Sequence, residues 1–123
     1  MSENTQTMRT LEDVRQSIAE FAAARDWEQF HSPKNLVMAL SVEVAELMEH
    51  FQWLTLEEAK QLDDATLVKV GEEIADVQIY LVRLADKLGI DILAACADKM
   101  VKNAAKYPVA RASGNARKYT DLE

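Results

Sequence analysis

The chain has 123 residues, with 14 Lys and Arg against 21 Asp and Glu for a net charge of −7, and 49% of its residues are hydrophobic. That length sets the prior at one domain around one continuous core, and the acid excess excludes wholesale binding to a nucleic-acid backbone, because nothing would replace its counterions. The longest uncharged stretches, such as 35–42, fall far short of the roughly 20 apolar residues a bilayer crossing needs, so no membrane role is expected.

Three Gly and two Pro stand beside eighteen Ala and thirteen Leu, a composition of helix formers with few breakers. The expected class is all-α. Residues 1–9 contain no apolar core of a signal peptide and read as a flexible N-terminus, and Cys96, the single cysteine, has no internal partner for a disulfide; a cytoplasmic setting is expected. Thr10 and Asp13 form a capping-box pattern ahead of Leu11, Val14, Ile18, Phe21 and Ala22, which predicts a first helix over about 11–25. After a break at 26–32, Ser32 is placed as a cap and Pro33 as a first-turn residue. Leu36, Leu40, Val44, Leu47 and Phe51 then form the apolar stripe of a second helix running to about Phe51.

Thr55 and Glu58 repeat the capping-box pattern before a short helix over 56–62, and Asp63-Asp64 break and cap before the longest element. Leu67, Val70, Ile74, Val77, Leu81, Leu84 and Leu88 alternate steps of three and four as far as Gly89, which supplies a left-handed stop. Asp91 caps a last predicted helix over 92–106, with Leu93, Cys96, Ala97, Met100 and Ala104 on its buried face and Tyr107-Pro108 at its end. The expected architecture is a four-helix-bundle-like all-α domain over 10–108 with a short extra helix, followed by a basic tail over 109–123.

Acids three residues apart share a helical face. Glu43 and Glu46 border the apolar stripe of the second helix, and Glu73 and Asp76 border that of the long helix, so the two pairs would meet if these helices pack. Four like charges in a partly desolvated cleft are unfavourable without a cation, and an all-oxygen donor set suits Mg²⁺ or Mn²⁺ rather than zinc. The competing reading is that acid pairs at this spacing are an ordinary solvated face in so acidic a chain. A di-iron site would need Glu-x-x-His motifs, and His31 and His50 do not supply them.

Trp27, Phe30, His31 and Trp53 fall at or beyond helix ends, and Tyr80 continues the Glu73/Asp76 face. Such rings either plug the end of a bundle or stack on a flat heterocycle, worth ~1–3 kcal/mol per stacked base. Residues 99–118 hold Lys99, Lys102, Lys106, Arg111, Arg117 and Lys118 and no acid, with Lys99 and Asn103 sharing a face. Part of this cluster suits a helix C-terminus; beside an acidic cation site, it also suits a polyphosphate.

The string Glu43-Val44-Ala45-Glu46 followed by Glu73-Ile74-Ala75-Asp76 resembles the Glu-x-x-Glu, Glu-x-x-Asp signature of the MazG-like all-α nucleoside triphosphate pyrophosphatases. The stretches 21–31, 33–36, 49–53 and 76–81 are similar to the dCTP pyrophosphatase branch, as are Lys99-Met100 with Asn103, Tyr107-Pro108 and 117–120, so that the resemblance spans about 10–122.

The resemblance implies hydrolysis of dCTP and 5-modified dCTP to the monophosphate and pyrophosphate, in cleaning of the nucleotide pool, by a homo-oligomer, usually a tetramer built as a dimer of dimers. Carried over by position, Glu43, Glu46, Glu73 and Asp76 are the metal ligands and catalytic carboxylates. Trp27 and Trp53 are the base sandwich, His31 and Tyr80 line the nucleotide pocket, and Lys99 and Asn103 face the phosphates. A relative of broad or different base preference, and a non-catalytic helical interaction module with the aromatics as hot spots, are the alternatives.

Overall fold

The structure, a computed structural model, describes residues 7–118 and 120, and every regular element among them is helical. Helix α1 (Leu11–Ala24) starts at the expected capping box: the Asp13 amide donates to Thr10 Oγ1 at 3.1 Å, and the Thr10 amide donates to Asp13 Oδ2 at 3.2 Å. It ends on an unexpected device. Asp26 takes a left-handed φ of 53°, with its amide donating to the Ala23 carbonyl and that of Trp27 to the Ala22 carbonyl. These are the two reversed bonds of a Schellman motif, with Asp where Gly is usual. The chain therefore turns sharply into Trp27 and a 3₁₀ turn, Glu28–Phe30.

Ser32 caps and Pro33 opens α2 (Pro33–Glu49). This helix stops two residues short of the expected Phe51, because the amides of His50, Phe51 and Gln52 turn back to the Leu47 and Met48 carbonyls. Helix α3 (Leu56–Ala59) keeps its Thr55/Glu58 box but ends before Leu62, its last turn tightened by bonds three residues apart, Lys60 to Glu57 and Gln61 to Glu58. Asp63 caps α4 (Asp64–Leu88) through the Thr66 amide at 2.7 Å, and Gly89 closes it at φ 67°.

Residues divide into two units, Met1–Gly89 and Ile90–Glu123. Within the first, α4 is the spine and packs along α2 and against α1. Ala22, Leu36, Val70, Val82 and Ala85 are its buried apolar residues; enclosing a leucine such as Leu36 contributes about 1.5–3 kcal/mol. The expected stripes are only partly covered. Val44 on α2 and Leu67, Ile74, Leu81 and Leu88 on α4 remain exposed, since two neighbouring helices cannot enclose the whole apolar arc of a 25-residue helix.

In the second unit Asp91 caps α5 (Ile92–Lys106), with the expected boundaries, and the segment expected as a tail opens with a four-residue helix, α6 (Val109–Ala112). The face of α5 expected to be buried is exposed at Leu93, Cys96, Ala97, Met100 and Ala104. Helix α6 has too little apolar surface to cover it. Cys96 is therefore a free, exposed thiol and not the core residue its position on the stripe suggests. No helix among the described residues is long and apolar enough to cross a membrane.

Candidate active site

Packing of α2 along α4 brings Glu43 to Glu73 and Asp76, and one carboxylate oxygen from each lies within 4.8 Å of the others. Oε2 of Glu43 and Oε2 of Glu73 are both buried without a hydrogen-bond partner. Unpaired buried carboxylate oxygens are costly, and the cost is visible in Glu43. Burial first, then the charges of Glu46 and Asp76, push its carboxyl up to about 7. Three carboxylates converging from two helices, two of them with a buried oxygen that no donor reaches, fit a hard divalent cation, which would supply the missing charge and coordination at once. Glu46, one turn from Glu43 on α2, lies outside the three-oxygen set and acts on it as a neighbouring charge.

Tyr80 is half-buried on α4, one turn beyond Asp76. The Trp27 ring meets Phe21 edge-on at 5.7 Å and His31 at 6.3 Å, and the Arg25 guanidinium lies 3.5 Å above Phe21. Trp53, in the turn between α2 and α3, is 86% exposed. Lys99 and Asn103 stand one turn apart on α5 in the second unit, Lys99 exposed and Asn103 half-buried. A pocket of about 470 Å³ lies behind the turn that carries Trp53, lined by His50, Leu54, Glu58, Gln61, Leu62, Asp63 and Thr66.

Sequence reasoning missed Arg83. Its guanidinium is 3% exposed and donates from Nε to His31 Nδ1 at 3.0 Å, from Nη1 to Asp86 at 3.4 Å, and from Nη2 to Glu28, whose other oxygen takes Lys87. Glu28 is held down to about 2 by Lys87 and Arg83. His31 is held below the usual imidazole range, by burial first and by the Arg83 charge second. One signal was present in the sequence: an arginine at a seven-residue step from Asp76, between the apolar Val82 and Leu84.

These features define a protein that is helical throughout its described elements, with a cluster of carboxylates between two packed helices and an aromatic cluster at the end of α1. Residues 38–122 match the MazG-like family, and the chain belongs to it. Among curated relatives, dCTP pyrophosphatase 1 of Bos taurus is 49% identical over 115 residues, which cover 92% of this chain and 68% of the bovine protein. The Homo sapiens protein of the same name is 48% identical over the same coverage. A pyrophosphatase from Archaeoglobus fulgidus DSM 4304 superposes with a TM-score of 0.77 at 39% identity, covering 86% of this chain and 99% of the archaeal one.

Proposed function

We propose that this protein is a Mg²⁺-dependent nucleoside triphosphate pyrophosphohydrolase that converts dCTP, and 5-modified dCTP, to the monophosphate and pyrophosphate, removing unwanted nucleotides from the pool. The observation that carries the reading is the Glu43/Glu73/Asp76 cluster with its two unpaired buried oxygens, in a chain about half identical to dCTP pyrophosphatases over nearly its whole length.

When bound, Mg²⁺, for which Mn²⁺ substitutes, supplies charge neutralisation for the triphosphate oxygens. Glu43, Glu73 and Asp76 would hold it, and its charge would offset the crowding of their carboxylates. Glu46 stands beside this set, one turn from Glu43 on α2, which suits it to orient a water for in-line attack at the α-phosphorus and to take its proton. The bond from the α-phosphorus to the bridging oxygen breaks, and pyrophosphate leaves. Trp27 and Trp53 offer faces for the base, His31 and Tyr80 offer polar contacts to the nucleoside, and Lys99 and Asn103 are assigned to the phosphates.

The proposed assembly is a cytoplasmic homo-oligomer, a tetramer built as a dimer of dimers. The exposed row Leu67, Ile74, Leu81 and Leu88, at seven-residue spacing along α4, supports an apolar helix-to-helix contact.

Pyrophosphate release from dCTP, 5-methyl-dCTP, dUTP, dTTP, dATP, dGTP and the ribonucleotides, each with Mg²⁺ and with EDTA, tests the reading. Metal-dependent release strongest for the cytosine deoxynucleotides is expected. Equal release from all bases removes the dCTP assignment, and no release from any of them removes the enzymatic reading.

A further inference from the structure

Helix α4 carries Glu73, Asp76, Tyr80, Arg83 and Lys87 at alternating steps of three and four, a single helical face. Asp76 and Arg83 are therefore two turns apart, about 10 Å along the axis. That face has the cation-binding acids at one end and a buried cation of its own at the other.

Arg83 is the buried charged side chain of the described residues, and a buried guanidinium is tolerated only when its N–H groups are paired. Its three nitrogens reach three different acceptors: His31, Asp86 and Glu28. Asp86 is braced from behind by Arg15 of α1 at 3.6 Å, and Glu28 is braced by Lys87. Two of the three acceptors belong to the short segment 28–31, and the Trp27 ring that opens this segment leans against His31. The clamp thus joins the C-terminal part of the longest helix to the sharp turn after α1. An Nδ1 that accepts from a guanidinium carries no proton, so His31 is the neutral tautomer with its N–H at Nε2.

We propose that Arg83 is a positioning residue for nucleotide recognition: it holds the Trp27 to His31 segment at a set distance from the cation site and keeps His31 as an Nε2–H donor for the nucleotide. The proposal rests on the reading that Trp27 and His31 line the nucleotide pocket. The groups facing His31 are consistent with it, since Arg83 and Lys87 from α4 disfavour a proton on Nδ1 and Glu28 alone favours one. Lysine would not do the same work, because a point charge cannot span three acceptors in one plane.

The decisive experiment pairs kinetics with the ¹⁵N spectrum of the imidazoles, His31 being assigned with a His50→Gln background. In the wild-type chain Nδ1 of His31 should resonate as an unprotonated acceptor and Nε2 as protonated. In Arg83→Met that signature should collapse to a tautomer mixture with a higher titration midpoint. KM for dCTP should rise roughly 10- to 100-fold, the scale of a small misplacement of a binding group, with kcat within about threefold and the Mg²⁺ midpoint at its wild-type value. Arg83→Lys should fail to restore KM.

Wild-type KM in both variants, or a His31 spectrum indifferent to residue 83, overturns the proposal. If Arg83→Met does not fold, Glu28→Gln loosens the same clamp from its exposed side and should raise KM severalfold; wild-type KM there overturns the proposal too. Failure of the wild-type chain to hydrolyse any nucleotide refutes the proposed function and with it the recognition role, while the His31 spectrum still decides whether the clamp sets the tautomer.

Discussion

Glu43 of α2 and Glu73 of α4 approach each other across the helix seam, each with a buried Oε2 that no donor reaches. Two carboxylates in that position work against the fold unless a proton or a cation intervenes, and the competition between the two has a measurable consequence. Glu43 is pushed up to about 7 from 4.5. Its folded-state pKa lies above the unfolded one, so the stability it contributes is present below pH 4.5 and is lost as pH rises through 7. Thermal melts without metal should show this loss between pH 4.5 and 7, and Mg²⁺ should raise the melting temperature more at pH 8 than at pH 5.5. Glu43→Gln should melt higher than wild type at pH 8 without metal and respond least to Mg²⁺. A wild-type response in the variant would remove Glu43 from the cation site.

Glu46 differs from its neighbours because it stands outside the three-oxygen cluster. Glu46→Gln should lower kcat by at least about 100-fold, as loss of a general base does, while the Mg²⁺-induced rise in melting temperature persists. Glu73→Gln should lose both. Calorimetric titration of Mg²⁺ into the two variants separates binding from chemistry. Equal loss of metal affinity in both would make Glu46 a ligand.

Trp27 and Trp53 sit in unlike surroundings, one packed on Phe21 and His31 and the other almost fully exposed. Trp53→Ala should leave the melting temperature nearly untouched and raise KM for dCTP by the loss of stacking, about 1–3 kcal/mol per base. Trp27→Ala should lower both stability and affinity. Equilibrium urea unfolding and steady-state kinetics on the same preparations test the contrast, and an unchanged KM in Trp53→Ala would exclude it from base binding.

Asp26 holds a left-handed φ of 53° at the turn that delivers Trp27. Asp26→Gly should change stability by less than about 1 kcal/mol, because relief of the left-handed conformation offsets the larger entropy of the unfolded glycine. Asp26→Val should cost about 1–2 kcal/mol, the price of that conformation for an ordinary side chain, and should raise KM because Trp27 follows the turn. Urea midpoints of the two variants give the comparison.

The parts readable from the sequence are those decided by short-range chemistry. Thr10 with Asp13, Thr55 with Glu58, and Asp63 and Asp91 as caps all depend on atoms three residues apart, and the helices they open, α1, α3, α4 and α5, start where those residues stand. Gly89 ends α4 for the same local reason. Glu43, Glu73 and Asp76 were readable as neighbours because apolar periodicity tells which faces of α2 and α4 must meet.

Other features depend on the whole molecule. An aspartate at the left-handed position after α1 is rarer there than glycine, so Asp26 is silent as a stop signal. Arg83 is buried only because Glu28, His31 and Asp86, distant or on its own helix, arrive together to pair it. The apolar stripe of α5 predicts burial from periodicity alone, and periodicity does not say whether a partner surface exists within the chain.

The face of α4 from Glu73 to Lys87 also has a property of a ruler whose marks cannot slide. One residue inserted between Asp76 and Tyr80 would rotate everything after it by about 100° and swing Arg83 away from His31, although no side chain had been replaced. Four inserted residues would nearly restore the angle but lengthen the span by about 6 Å. Substitutions along this stretch can therefore be absorbed one at a time, whereas a change in its length detaches the cation end from the aromatic end.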